Sequence, residues 1–203
     1  MKNKIILLTV LSLVVALCLC GCNLAGKEGS SSDISNVSSV TSVNETDTAK
    51  EMHSLFDENL NCMLNIFELS FLPCEETPFK DTFLKVTDER FKTFADLETY
   101  VRNVYVKETA EELLFRERFD GHKLYNNIDG VFAIDQTVMG GKGYYVNWKD
   151  YELKIDSLTE NECKFTVTAT LEEPAEVTEK VPYQKEAVAV KQDGKWLLKN
   201  FVT

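Results

Sequence analysis

The chain has 203 residues, of which 27% are charged and 44% hydrophobic, and its formal net charge at pH 7 is −11. A chain this acidic is repelled by phosphate backbones, so we expect no nucleic-acid partner. An acidic surface suits either a basic partner or solubility alone.

The N-terminus has the layout of a bacterial secretory signal. Lysines precede an apolar run, Ile5–Leu19, that is shorter than the ~20 residues of a membrane-spanning helix. Residues 19–22, LCGC, resemble a lipobox whose acceptor is Cys22. We therefore predict a signal peptide over residues 1–21 and lipid attachment at Cys22, which would hold the protein on the extracytoplasmic face of the cell membrane. An ordinary secretory signal is the alternative.

The next segment, residues 22–47, is crowded with Ser, Thr and Asn and has no apolar periodicity. Such a composition cannot bury enough apolar surface to offset the entropy cost of ordering, so it predicts a flexible tether. The remaining residues, 48–203, have the length of a single domain.

Helical patterns come first in this domain. Apolar residues with the spacing of one helix face predict a long helix over about residues 48–71, with Asp47 as N-cap and a stop forced by Pro73. The positions of this apolar stripe are 52, 55, 56, 60, 63, 66, 67 and 71.

Two shorter helices are predicted after the long one. Thr93 and Asp96 have the spacing of a capping box at the start of the first. Thr109 is a possible cap for the second, in which Phe119 is expected to face inward before Gly121 ends the helix.

After Gly121 the period of the pattern changes to two, which predicts strands. An antiparallel meander of five or six strands follows, with hairpin turns at 129–130 and 193–194. The predicted fold class is α+β, with N-terminal helices packed on one face of a curved antiparallel sheet. The segments with strand character are VFAID, YYVNW, YELKIDSL, CKFTVTATL and the closing hairpin from residue 178 to the C-terminus.

The segment MGGKGYY, residues 139–145, raises the question of a phosphate-binding loop. Such a loop needs a helix directly after it, so that free N–H groups face the anion. The residues that follow have strand character, which excludes the phosphate and dinucleotide interpretations. A structural turn and a recognition loop presenting Lys142 and Tyr144 both remain open.

Neither the histidines nor the cysteines form a recognisable reactive motif. His53 and His122 have no metal-ligand spacing, so we predict no metal and no cofactor. Cys74 and His122 are the only thiol and base worth considering together, and neither lies in a local signature. A disulfide between Cys62 and Cys74 is left open, whereas Cys62 and Cys163 are expected to be buried.

Four segments between Phe83 and Phe201 resemble the IseA-type family of inhibitors of bacterial DL-endopeptidases. They are FKTFADLETYVRNVYVKETAEELL, DGVFAID, GGKGYYVNWKDYELKI and VAVKQDGKWLLKNF. The resemblance implies a non-enzymatic protein that covers the active-site cleft of NlpC-type cell-wall endopeptidases and so restrains cell-wall lysis. The partner-binding residues expected on this basis are Gly140, Gly141, Lys142, Gly143 and Tyr144, with Asp129 and Asp135 flanking the same end.

The closing segment DGKWLLKNF is also typical of nuclear-transport-factor-like and cystatin-like domains on bacterial surface lipoproteins. A small-ligand-binding module of that kind, without catalytic activity, is the alternative function. A curved sheet closed by helices often leaves an apolar pocket for such a ligand.

Overall fold

A computed structural model of the protein describes residues 38–140, 146–172 and 181–203. These residues belong to one compact unit that spans residues 36–203. The described part has an α+β fold, with three α-helices and two antiparallel sheets. Among its helices, none combines the length and the apolar character that a membrane crossing requires.

The elements follow one another in an order that mixes helices and strands. The helices are α1 (Ser38–Cys62), α2 (Phe94–Arg102) and α3 (Lys107–Phe115). The strands are β1 (Phe83–Lys85), β2 (Tyr125–Ile128), β3 (Val131–Asp135), β4 (Val146–Leu158), β5 (Glu162–Leu171), β6 (Val181–Gln192) and β7 (Lys195–Leu198).

The strands form two sheets, so the prediction of one sheet with five or six strands is wrong. The first sheet has the order β1-β3-β2 and the second the order β4-β5-β6-β7. Strand β1, which precedes α2, was not predicted. The break between the sheets comes after β3, where the Asp135 side chain accepts a hydrogen bond from the Thr137 backbone N–H at 3.0 Å and starts a 3-10 turn, Gln136–Val138. This turn takes the chain out of the first sheet.

Helix α1 differs from the prediction at both ends. It begins at Ser38, and Asp47 lies inside it instead of capping it. After Cys62 the chain continues as a π-helical turn, Met63–Phe67, and leaves the helix before Pro73. Most of the predicted stripe is buried, namely positions 52, 55, 56, 63, 66 and 67. Residues 1–37, with the predicted signal peptide, Cys22 and most of the predicted tether, lie outside the described residues.

The capping box of α2 is confirmed, because Thr93 and Asp96 each accept a hydrogen bond from the other's backbone N–H. The predicted cap of α3 is wrong. This helix starts at Lys107, and the Thr109 hydroxyl donates instead to the Lys199 carbonyl at 2.6 Å. Thr109 therefore ties α3 to the C-terminal segment.

Aromatic side chains fill the space between α1 and the second sheet. The Phe56 ring lies 5.6 Å from the Trp148 ring, 4.8 Å from Tyr151 and 6.4 Å from Phe165, measured between centroids. Offset and edge-to-face contacts of this kind stabilise a core beyond the area they bury. Phe56 and Phe165 are therefore core residues.

A buried asparagine joins α1 to two distant segments. Asn59 is 0% exposed. Its amide donates to the Val202 carbonyl at 2.9 Å, and its carbonyl oxygen accepts from the Val202 N–H at 3.0 Å and from the Tyr105 hydroxyl at 2.9 Å. Both polar atoms of the Asn59 side chain therefore have partners, which is the condition under which buried polar groups stabilise a fold.

The three cysteines of the described residues are free thiols, so Cys62 and Cys74 form no disulfide. Cys62 and Cys163 are buried as predicted. Burial raises the pKa of Cys62 to about 12 and that of Cys163 to about 11. Both side chains are therefore uncharged packing residues at neutral pH.

Candidate functional site

The candidate site lies where β3 ends, and its central group is the buried carboxylate of Asp135. This side chain is 1% exposed. One oxygen lies 2.6 Å from His122 Nδ1, and the other accepts from the Thr137 hydroxyl at 2.7 Å and from its N–H. Burial raises the pKa of Asp135, but hydrogen bonds from His122, Thr137 and Thr82 outweigh this effect, so the pKa lies below its usual value. Asp135 is therefore a charged group at neutral pH.

A tight turn before β2 positions His122. Asp120 and Gly121 have φ values of 55° and 77°, which is the left-handed region that favours glycine. The His122 N–H donates to the Phe119 carbonyl at 3.0 Å, and the Arg118 N–H donates to the His122 carbonyl at 2.8 Å. His122 is thereby held at its backbone by the turn and at its Nδ1 atom by Asp135. Its side chain stays 45% exposed, which leaves Nε2 available to a ligand or partner.

A cavity of about 340 Å³ opens beside this imidazole. We call it the His122 cavity. Its lining consists of Phe83, Asp120, Gly121, His122, Lys123, Asn126 and Asp135. None of these seven residues is a serine, threonine or cysteine. The lining offers an ammonium, an amide, an oriented imidazole and the exposed carboxylate of Asp120, so its chemistry is hydrogen bonding to the carbonyl and N–H groups of a peptide.

An exposed phenylalanine stands directly before this cavity in the chain. Phe119 is 70% exposed, so the prediction that it faces inward is wrong. The reason is that α3 ends at Phe115 and Arg116 has non-helical backbone angles, so the helical spacing stops before it reaches Phe119. An exposed aromatic ring beside a polar cavity is typical of the contact residues that dominate protein interfaces.

The two predicted acidic residues do not lie at the same end. Asp129 occupies the β2–β3 turn with φ of 53°, and its carboxylate pairs with the Lys80 ammonium at 2.7 Å. Asp135 is the last residue of β3. At ~3.3 Å per strand residue the two positions are roughly 20 Å apart. Asp135 belongs to the candidate site and Asp129 does not.

The glycine-rich segment starts close to the site in the chain. Val138 is buried, its carbonyl accepts from Arg118 at 3.3 Å, and Met139 packs against the core. Gly140 is exposed, and a Cβ atom added to it would meet nothing within 4 Å. The chain therefore reaches the surface at Gly140, directly after the turn that Asp135 organises. The remaining predicted contact residues, Gly141, Lys142, Gly143 and Tyr144, lie outside the described residues.

Cys74 and His122 are not brought together in this cavity. Cys74 forms an isolated β-bridge with Val86 and is absent from the lining. Burial raises the pKa of its thiol, which is the opposite of what an activated nucleophile requires. Within residues 38–140, 146–172 and 181–203, no group of three or more His, Cys, Asp and Glu side chains could hold a metal ion.

One local sequence signal points to part of the site. The letters FDGH at 119–122 place an Asp-Gly turn between an aromatic residue and a histidine, and such a turn exposes both neighbours. The contact between His122 and Asp135 joins residues 13 positions apart, and no local pattern shows it.

The chain matches no protein-family model and no curated protein.

Proposed function

We propose that this protein is a lipid-anchored inhibitor that binds peptidoglycan DL-endopeptidases of the NlpC type on the extracytoplasmic face of the membrane. It covers their active-site cleft and so slows cell-wall lysis. The observation that supports this best is the surface made by Phe119 and the His122 cavity, which lies next in the chain to the glycine-rich segment. The resemblance of four sequence segments to the IseA-type family supplies the partner.

The chemistry of the surface fits a cleft that normally holds a peptide. Phe119 offers an exposed ring for an apolar subsite, and Lys123 and Asn126 offer donors to carbonyl groups at the rim of such a cleft. The buried Asp135 fixes the imidazole of His122 in one orientation, so less side-chain freedom is lost on binding. No bond is made or broken in this mode of action.

An inhibition assay tests the proposal. The unlipidated mature chain, residues 22–203, is added to an NlpC-type endopeptidase acting on purified peptidoglycan, and the loss of turbidity is followed. We expect the rate to fall until protein and enzyme are equimolar. Capture of the enzyme on immobilised protein provides a second readout. If the enzyme is neither captured nor slowed, the proposal is wrong.

Substitutions locate the contact surface. We expect F119A and the double variant K142A/Y144A each to weaken inhibition by about tenfold or more, as loss of a central interface residue does. Matched controls are L158A, since Leu158 is an exposed apolar residue at the end of β4 and far in the chain from the residues that line the His122 cavity, and K149A on the exposed part of β4. Equal inhibition by F119A, K142A/Y144A and the controls would remove this surface from the proposal.

The anchor is tested separately in cells. Replacing Cys22 by alanine removes the acceptor of the proposed lipid, so the protein is expected to move from the membrane fraction into the medium or to remain as an uncleaved precursor. A variant that stays in the membrane fraction at its mature size would contradict lipid attachment at Cys22.

A further inference from the structure

A second cavity, of about 440 Å³, lies between α1, the end of α2 and the β6–β7 hairpin. It shares no lining residue with the His122 cavity. Its volume is within the range of roughly 300–1,000 Å³ found for ligand pockets. We call it the Trp196 cavity, because the indole of Trp196 is its largest side chain.

Two carboxylates line the α1 side of this cavity. Glu51 and Glu58 are seven residues apart, about two helical turns, and so face the same way. Glu51 accepts a hydrogen bond from the indole N–H of Trp196 at 3.1 Å, and Glu58 accepts one from the Tyr100 hydroxyl. These donors are neutral, so they orient the carboxylates without compensating their charge.

Neither carboxylate has a cationic group within 4 Å among the described residues, and Arg90 interacts with Glu58 only at longer range. Ion pairs occur elsewhere on these helices, for example between Arg102 and Glu98 at 2.8 Å, but none includes Glu51 or Glu58. Each carboxylate uses one oxygen for its neutral donor, and its second oxygen can accept further hydrogen bonds. The α1 side is therefore an oriented acceptor for a positive charge.

Apolar side chains lie between the charged groups of the cavity. Leu55, Val104 and Trp196 are 8%, 2% and 8% exposed and line it together. The methylene stem of a lysine or arginine packs well on such a surface while its charged end reaches a carboxylate. The Trp196 ring also has a cation–π contact, with the Lys191 ammonium 5.4 Å from its centroid.

The hairpin side of the cavity carries a hydrogen-bond donor. Lys195 donates to the Asn103 side-chain oxygen at 2.9 Å and has no carboxylate partner within the described ranges. Its ammonium has two further N–H groups to donate. A peptide backbone carbonyl would accept from this ammonium, whereas a simple alkylamine has no acceptor for it.

We propose that the Trp196 cavity binds a lysine or arginine side chain of an extended peptide segment. The basic group is placed between Glu51 and Glu58, its stem packs on Leu55 and Trp196, and Lys195 donates to a carbonyl of the same peptide. This site is additional to the endopeptidase surface and does not depend on it.

The test uses short blocked peptides and the indole N–H signals of the mature chain in NMR spectra. The chain has two tryptophans, and the W148F variant assigns the remaining signal to Trp196. The probes are acetyl-Ala-Lys-Ala-amide, the same peptide with norleucine in place of lysine, and butylamine. We expect the lysine peptide to shift the Trp196 signal in a saturable way and the other two to bind at least about fivefold more weakly.

The variant E51Q/E58Q removes both charges but keeps an oxygen that can accept from Trp196 and Tyr100. We expect it to weaken binding of the lysine peptide by about tenfold, as loss of charge-assisted hydrogen bonds does. The control E108Q/E152Q removes two exposed carboxylates outside the cavity and is expected to bind like the wild type.

Three outcomes would overturn the proposal. Equal binding of the norleucine peptide would show that the cavity recognises an apolar group only. Equal binding of butylamine would show that a small amine, and not a peptide, is the occupant. No shift with the lysine peptide at millimolar concentration would show that the cavity binds no such group. The endopeptidase assay is unaffected by all three, so the two proposals fail separately.

Discussion

The two cavities differ in how their carboxylates are satisfied. In the His122 cavity the carboxylate of Asp135 is buried, and its hydrogen bonds come from within the fold. In the Trp196 cavity Glu51 and Glu58 stand on the exposed surface of α1 and have only neutral donors. A charge satisfied internally contributes to folding, whereas an uncompensated surface charge costs little stability and is free to act in binding. Substitution of Asp135 should therefore lower the stability of the fold, whereas substitution of Glu51 and Glu58 should lower the affinity for a ligand.

The largest expected effect is at Asn59, which supports the helix that carries both glutamates. N59A removes hydrogen bonds to Val202 and Tyr105 and leaves their polar atoms buried without partners. We expect a loss of about 2–4 kcal/mol in the free energy of unfolding, measured by urea denaturation. The control N65A, at an exposed position in the π-helical turn that follows α1, is expected to change it by less than about 0.5 kcal/mol. Similar midpoints for N59A and N65A would contradict the role of Asn59.

Substitution of Asp135 is expected to give the second-largest loss in the free energy of unfolding. D135A removes the acceptor for Thr137 and for His122 and opens a small buried space. The expected loss is about 1–3 kcal/mol in urea denaturation. D135N can still accept from Thr137 and should lose less, so the order wild type, D135N, D135A is the test. An alanine variant as stable as the wild type would show that the buried carboxylate is not a stabilising group.

Acid should lower the stability of the folded chain, and part of this loss should depend on Asp135. The pKa of Asp135 is lower in the folded chain than its usual value, so the folded state binds fewer protons than the unfolded state at intermediate pH. The resulting stabilisation is complete above the unfolded pKa of about 4 and is lost as pH falls through the folded pKa. We expect the melting temperature of the wild type to fall more steeply than that of D135N between about pH 5 and pH 2. Parallel curves would contradict this assignment.

Substitution of the glutamates of the Trp196 cavity should leave the stability of the fold nearly unchanged, in contrast to substitution of Asp135. E51Q/E58Q is expected to change the free energy of unfolding by less than about 0.5 kcal/mol, because both side chains are exposed and keep acceptors for Trp196 and Tyr100. Urea denaturation beside the peptide titration measures both properties on one sample. A loss as large as that of D135A would remove the contrast between the two cavities.

The local patterns of the sequence predicted elements well and tertiary arrangement poorly. The apolar stripe of α1, the capping box at Thr93 and the hairpin at 193–194 depend on neighbouring residues, and the structure confirms all three. The chain leaves the first sheet directly after Asp135, an acidic residue that is buried, and the strand pattern that ends there gives no sign of this burial. His122 and Asp135 meet only because β2 and β3 pair as antiparallel strands. The Trp196 cavity likewise lies between α1 and a hairpin more than 130 positions later in the chain, and a contact over this separation cannot be predicted from local periodicity.

The last comparison uses one glycine beside each cavity. Gly140 follows the His122 cavity in the chain, has no positive φ, and has open space where a Cβ would lie. Gly194 lines the Trp196 cavity and has φ of 79°. G194A should therefore cost about 1 kcal/mol, whereas G140A should be neutral or slightly stabilising because alanine restricts the unfolded chain. Urea denaturation measures both. If G140A also leaves endopeptidase inhibition unchanged, the backbone freedom of glycine at 140 is not used in binding, and the contact surface narrows to Phe119, Lys142 and Tyr144.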